Sequence, residues 1–178
     1  MFEINSRGPI YDPNAVQPMR DELVAAGFTE LITASDVDTF MTAELDKTIL
    51  VMINSVCGCA AGSARPGVTL ALQNNIIPDK ILTVFAGQDR DAVDHLRQNY
   101  LQGIPPSSPF MALYKNGEIV FLMQRFNIEG KTAGMVAAEL TEAFNQNCTK
   151  EGPSVSAEMY EQILHAKACG SKIPLAKN

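Results

Sequence analysis

No stretch of this 178-residue sequence is apolar for long enough to cross a bilayer. The longest strongly apolar run is Ile49-Leu50-Val51-Met52-Ile53, far short of the ~20 residues a spanning helix needs. A basic run is also missing: Lys and Arg number 14 against 20 Asp and Glu, for a net charge of −6. Such a chain lacks the phosphate-neutralising charge behind nucleic-acid affinity and the polybasic cluster that binds anionic lipid. Neither nucleic acid nor membrane is therefore expected as a partner. The first residues, Met1-Phe2-Glu3-Ile4-Asn5-Ser6-Arg7, have no basic stretch leading into an apolar core as a secretory signal does, so the chain is expected in the cytoplasm. The composition of disordered chains is absent too, with 46% hydrophobic and 19% charged residues. There is no internal repeat. The length is about one domain's worth, and such a chain buries roughly 70% of its unfolded surface. Sequence alone does not fix the oligomeric state.

What is present reads as alternating helices and strands. Residues 1–12 are mixed in character and read as an arm. Val16, Met19, Leu23 and Ala26 recur at helical spacing, with Gly27 as the stop and Pro18 acceptable only in a first turn. Ser35 is expected to cap a second short helix. Residues 48–54 are apolar on both faces, as in a central strand covered by helices. Residues 57–73 suit a helix kinked at Pro66, 81–85 a second buried strand, and 91–100 a helix with Val93 and Leu96 inward. After a proline-rich loop, residues 110–114 and 118–123 flank Asn116-Gly117, the strongest short hairpin signal. A helix over 131–147 follows, with Val136, Leu140 and Phe144 on one face. Residues 149–154 read as a linker, 156–168 as one more helix, and 171–178 as a frayed end. A strand–helix–strand unit followed by a hairpin gives a mixed sheet of at least four strands with helices on both faces.

The chemistry concentrates at Cys57-Gly58-Cys59, two of the four cysteines. They fall where the central strand ends and a helix begins. Open N–H groups and the dipole of a helix start favour an anion, so a thiol there ionises more easily, and the thiolate is the nucleophile. The C-terminal ends of parallel strands are also where open α/β sheets place their sites. Gly58 leaves the approach unblocked and tolerates unusual backbone angles. A bridge across one residue is strained and easily reduced. The site is therefore expected to exchange disulfides rather than keep one.

Other readings stay open at this point. Cys57 and Cys59 could be buried structural residues, or could join Cys148 or the His165-x-x-x-Cys169 pair in a zinc or iron–sulfur site. Cys148 or Cys169 could also act as a remote resolving thiol, against the plainer reading of a helix-end and a tail cysteine. His95 reads as a helix-surface histidine. Pro109 precedes a strand, where either a cis X-Pro bond or an edge-strand proline fits.

The block Asn54-Ser55-Val56-Cys57-Gly58-Cys59-Ala60-Ala61-Gly62, with Ala64-Arg65-Pro66-Gly67, resembles the bacilliredoxin family, thioredoxin-like proteins with a Cys-Gly-Cys site. So do residues 11–23, the loop Pro106-Ser107-Ser108-Pro109, and Arg125 with Ile128-Glu129-Gly130. The resemblance spans about residues 9–148. It implies a three-layer α/β/α fold of thioredoxin type with a mixed central sheet, an N-terminal helical arm and a C-terminal tail. Residues 1–148 would form that domain and 149–178 the linker and tail.

The resemblance further implies a thiol–disulfide oxidoreductase acting on mixed disulfides between cytosolic protein cysteines and bacillithiol or a similar small thiol. Thiol–disulfide isomerase activity is also ascribed to the family. By position, Cys57 would attack, Cys59 would be the neighbouring thiol, and Pro109 would be the cis-proline facing the site. Gly58 and Ser108 would meet substrate. No tightly bound cofactor is implied, the small thiol being a co-substrate. One departure from thioredoxin matters: residues 48–54 carry no acid, so the base for a second thiol is missing from that strand. A monothiol cycle fits better.

Overall fold

The computed structural model describes residues 7–170 and Ile173. The arm's first six residues and, Ile173 apart, the expected frayed end lie outside the described residues. In chain order the elements are α1 (Pro13–Ala25), β1 (Thr29–Glu30), α2 (Ala34–Thr42), β2 (Ile49–Asn54), a π-helical turn (Ala60–Ala64), α3 (Arg65–Ala71), β3 (Ile76–Ile77), β4 (Lys80–Phe85), α4 (Arg90–Tyr100), β5 (Phe110–Lys115), β6 (Glu118–Met123), α5 (Arg125–Ile128), α6 (Ala133–Asn147), β7 (Lys150–Glu151) and α7 (Ala157–Cys169).

The sheet runs β1-β4-β2-β5-β6. β2 and β1 are parallel to β4, while β5 is antiparallel to both β2 and β6. All six residues of β2 are buried, because the strand has neighbours at both edges and helices over both faces. Its side chains alternate as a pleated strand requires. Leu50 and Met52 enter one core with α1, α3, α6 and α7. Ile49, Val51 and Ile53 enter a second core with α2 and α4. This is the thioredoxin-like three-layer α/β/α arrangement. Asn116 and Gly117 both take positive φ, 53° and 76°, as a two-residue hairpin turn demands.

Local chemistry moved several boundaries. α1 starts at Pro13, where Asp12 accepts a hydrogen bond from the Asn14 N–H at 2.9 Å. Pro18 therefore lies inside the helix, on its exposed side, and not in a first turn as expected. A capping carboxylate followed by proline is a strong start, and it outweighs the one hydrogen bond that Pro18 removes. The cap of α2 is Thr33 and not Ser35. Thr33 Oγ1 accepts from the Asp36 N–H, and the Asp36 carboxylate accepts from the Thr33 N–H, at 3.0 and 2.8 Å, a reciprocal arrangement that Ser35 cannot match.

The stretch read as a linker is stitched to the body. β7 pairs antiparallel with β3, the Gly152 N–H donates to the Asn75 carbonyl at 2.9 Å, and the Ser154 N–H donates to the Leu72 carbonyl at 2.9 Å. Ser154 Oγ also donates to the Ala26 carbonyl at 2.7 Å. α7 then packs on α1, capped by Ser156 and closed by Gly170 at φ 66°, with Ile163 and Ala166 buried. The face of α3 that meets α6 carries Gly67. A Cβ there would stand 2.7 Å from Val136 Cβ, so glycine sets how closely the two helices approach.

Candidate active site

Cys57 and Cys59 stand in the turn between β2 and the π-helical segment, both half-buried, with their sulfurs 2.7 Å apart and no bridge between them. The Cys57 carbonyl accepts hydrogen bonds from the Ala60 and Ala61 N–H groups at 3.1 and 3.2 Å. The Ala60 N–H also faces Cys57 Sγ at 3.4 Å. Here one open N–H of a helix start, that of Ala60, meets the sulfur.

The two thiols are driven apart in acidity. Burial pushes the Cys57 thiol up, but hydrogen bonds from the Cys59 thiol, Ser55 and the Ala60 N–H, together with the positive charge of Arg125, outweigh it and hold Cys57 below the ordinary thiol value. Cys59 moves the opposite way. Burial raises it first, and its hydrogen bond to Cys57 and the negative charge there raise it further. Interacting groups this close release their protons as a pair, in two steps. The first leaves a thiolate on Cys57 that accepts a hydrogen bond from Cys59.

Three neighbours complete the site. The Ser108–Pro109 bond is cis. Phe110 pairs with Ile53, so Pro109 stands level with the end of β2, on the edge where Cys57 follows. The Ser107 hydroxyl accepts the Arg125 backbone N–H at 2.7 Å, which ties the cis-proline loop to α5. Arg125 in turn holds Glu129 through Nε at 2.7 Å and sets its charge toward both cysteines. Gly58 is exposed, and a Cβ there would meet nothing within 4 Å. Its φ is not positive, so the open approach is realised while the unusual backbone angle is not needed.

Behind the loop lies a buried polar chain. Asn54 Oδ1 accepts from the Ser55 N–H at 2.8 Å and from Arg65 Nη1 at 3.1 Å, and Ser55 Oγ accepts from the Cys57 N–H at 3.3 Å. Arg65 also donates to the Ser55 carbonyl at 2.9 Å and to Glu22 at 2.8 Å. From the sequence alone Glu22 has no role and no acid is expected behind the cysteines. The carboxylate comes instead from α1, paired with a cation.

The remaining candidates lie elsewhere. Cys148 is buried beside Thr48, burial raising its thiol. Thr48 precedes β2 and Cys57 follows it, so the length of the strand, roughly 20 Å, separates Cys148 from the pair. Cys148 therefore joins neither a cluster with Cys57 nor a bridge to it in this fold. Cys169 is exposed on the last turn of α7, its sulfur 3.8 Å from His165 Nδ1. Among the described residues no three His, Cys, Asp or Glu side chains are grouped to hold a metal ion. His95 sits on the surface of α4, bonded to Asp38 at 2.8 Å.

The sequence model of the disulphide isomerase family matches residues 11–148. A bacilliredoxin of Salinibacter ruber is 50% identical over 147 residues, 83% of this chain and 86% of that protein. A bacilliredoxin of Bacillus licheniformis is 48% identical over 139 residues, 78% of this chain and 95% of that one. A Staphylococcus aureus bacilliredoxin is 45% identical over the same length, covering 78% and 94%. β7 and α7 lie beyond the residues that the family model matches.

Proposed function

The chain belongs to the bacilliredoxin family, whose sequence model carries the description disulphide isomerase, and from that premise we propose that it is a thiol–disulfide oxidoreductase in which Cys57 is the attacking sulfur. The observation that carries this reading is that the two free sulfurs stand 2.7 Å apart and that the Ala60 N–H faces the sulfur of Cys57, which is held down while Cys59 is raised. A low-pKa, accessible thiolate at a helix start is the microenvironment of reactive cysteines.

The proposed substrate is a protein cysteine carrying bacillithiol or a similar small thiol. The Cys57 thiolate attacks the sulfur of the small thiol. That sulfur's bond to the protein breaks, the protein sulfur leaves as a thiolate and takes up a proton, and Cys57 now carries the small thiol in a new disulfide. A second molecule of the small thiol attacks this disulfide as its thiolate. Cys57 is released and a disulfide of two small thiols leaves, so the oxidation passes from protein to small molecule with no tightly bound cofactor. Cys59, held protonated, stabilises the Cys57 thiolate as a leaving group in that step. If Cys59 loses its proton it can instead attack Cys57, close the short bridge and expel the small thiol. Cis-Pro109, Ser108 and the open face at Gly58 form the edge that the substrate backbone meets. Isomerase activity on protein disulfides uses the same attack. The proposed setting is cytoplasmic, and no helix among the described residues is long and apolar enough to cross a membrane.

A de-thiolation assay on a bacillithiol-modified protein tests the reading. Cys57→Ala is expected to abolish release, while Cys59→Ala keeps turnover when free small thiol is supplied. Full activity in the Cys57 variant overturns the assignment.

A further inference from the structure

The π-helical turn behind the cysteines takes away the helical partners of the Ala61 carbonyl. In this turn the Arg65 N–H donates five residues back, to the Ala60 carbonyl. Ala61 is next in that register, and its partner would be Pro66, which has no N–H. The Arg65 N–H that would serve Ala61 in ordinary α-helical spacing is already committed to Ala60. The orphaned Ala61 carbonyl is met by a side chain from a distant part of the chain: Lys167 Nζ, on α7, donates to it. The same ammonium donates to Glu22 Oε1 at 3.1 Å, the carboxylate whose other oxygen holds Arg65.

We infer that Lys167 is a positioning residue for Cys57 and that α7 is the strap which delivers it. This rests on the reading of Cys57 as the reactive thiol. Two routes lead from Lys167 to that sulfur. The short one runs through the turn: Lys167 holds the Ala61 carbonyl, and thereby the peptides whose N–H groups at Ala60 and Ala61 close on Cys57. The longer one runs through Glu22 and Arg65 to Asn54 Oδ1 and the Ser55 carbonyl, and from Ser55 Oγ to the Cys57 N–H. Both routes end on groups that stabilise the Cys57 thiolate, so loss of the ammonium should loosen them and make Cys57 a weaker acid. Ile163 and Ala166, buried on the inner face of α7, keep the helix in place when the lysine is changed, which separates the polar role from docking.

The test uses the full-length protein and the rate at which iodoacetamide alkylates Cys57, read by mass against pH. Lys167→Ala is expected to slow alkylation near neutral pH by about threefold, the effect of roughly half a pKa unit on the thiolate fraction, and to move the profile to higher pH. Lys167→Arg, which keeps a donor and a charge, is expected to restore most of the rate. Thermal unfolding of both variants is followed in parallel. A parental profile in Lys167→Ala overturns the inference, whether or not the melting temperature falls, and leaves the assignment of Cys57 standing. Loss of reactivity that Lys167→Arg does not recover also counts against it. A parental protein in which Cys57 alkylates like an ordinary thiol contradicts both the inference and the reading beneath it.

Discussion

Arg65 donates Nε to Glu22 across 2.8 Å, with the two side chains only 4% and 11% exposed, and the pair stands immediately behind the loop that carries Cys57. Buried ion pairs contribute little over well-packed apolar residues, but removing one partner strands the other's charge. Glu22→Ala is therefore expected to lower stability by about 3 kcal/mol or more, read by urea unfolding, with Glu22→Gln intermediate because it keeps an acceptor. A loss below about 1 kcal/mol in Glu22→Ala would show that Arg65 finds water or another acceptor.

Arg125 is exposed, so its influence on the cysteines is a screened one. It lowers Cys57 through its charge, after the hydrogen bonds from Cys59, Ser55 and Ala60 that offset burial. Arg125→Ala is expected to slow Cys57 alkylation at neutral pH by about two- to threefold at low ionic strength and to remove most of the salt dependence of that rate. Salt dependence equal to the parent's would mean that the charge acts from too far away.

The opposite displacement of the two thiols has a sign in pH. Cys57 lies below its ordinary value, burial being outweighed by its hydrogen bonds. Between its folded and unfolded values the folded state therefore binds fewer protons than the unfolded one. Its contribution to stability is complete above the unfolded value and is lost as pH falls through the folded one. Cys59 lies above its ordinary value because of burial and its neighbour. Ionising it then works against the fold, so stability declines as pH rises past the unfolded value. Alkylation resolved by residue is expected to label Cys57 first as pH is raised and Cys59 only at higher pH. Simultaneous labelling, or the reverse order, contradicts the assignment.

Much of this was legible in the sequence because it rests on short-range patterns. The unbroken apolar run over β2 states that both its faces are covered, and Asn116-Gly117 states the hairpin. A doubled cysteine at a strand-to-helix junction locates the turn where the two free thiols meet. Ile76–Ile77 and Lys150–Glu151 did not show, because a two-residue strand has no period to read and the second is also exposed and charged. The cap of α2 was missed by two residues, since Thr33 and Ser35 are both good caps and only the reciprocal bond to Asp36 separates them. The groups behind the site were invisible for a different reason. Glu22, Arg65 and Lys167 meet across long sequence separations, and each reads alone as an ordinary surface charge on its helix. Pro66 was legible as an irregularity. That it leaves the Ala61 carbonyl to Lys167 needed the fold.

Which sulfur makes the first bond decides whether Cys57 is the nucleophile. Mixing the protein with a cysteine-modified substrate carrying the small thiol, quenching in acid within the first turnover and mapping the adduct by mass identifies that sulfur. The small thiol is expected on Cys57, accumulating further in Cys59→Ala when no free thiol is present. Adduct on Cys59, or release of the substrate protein with Cys57 never modified, would contradict it.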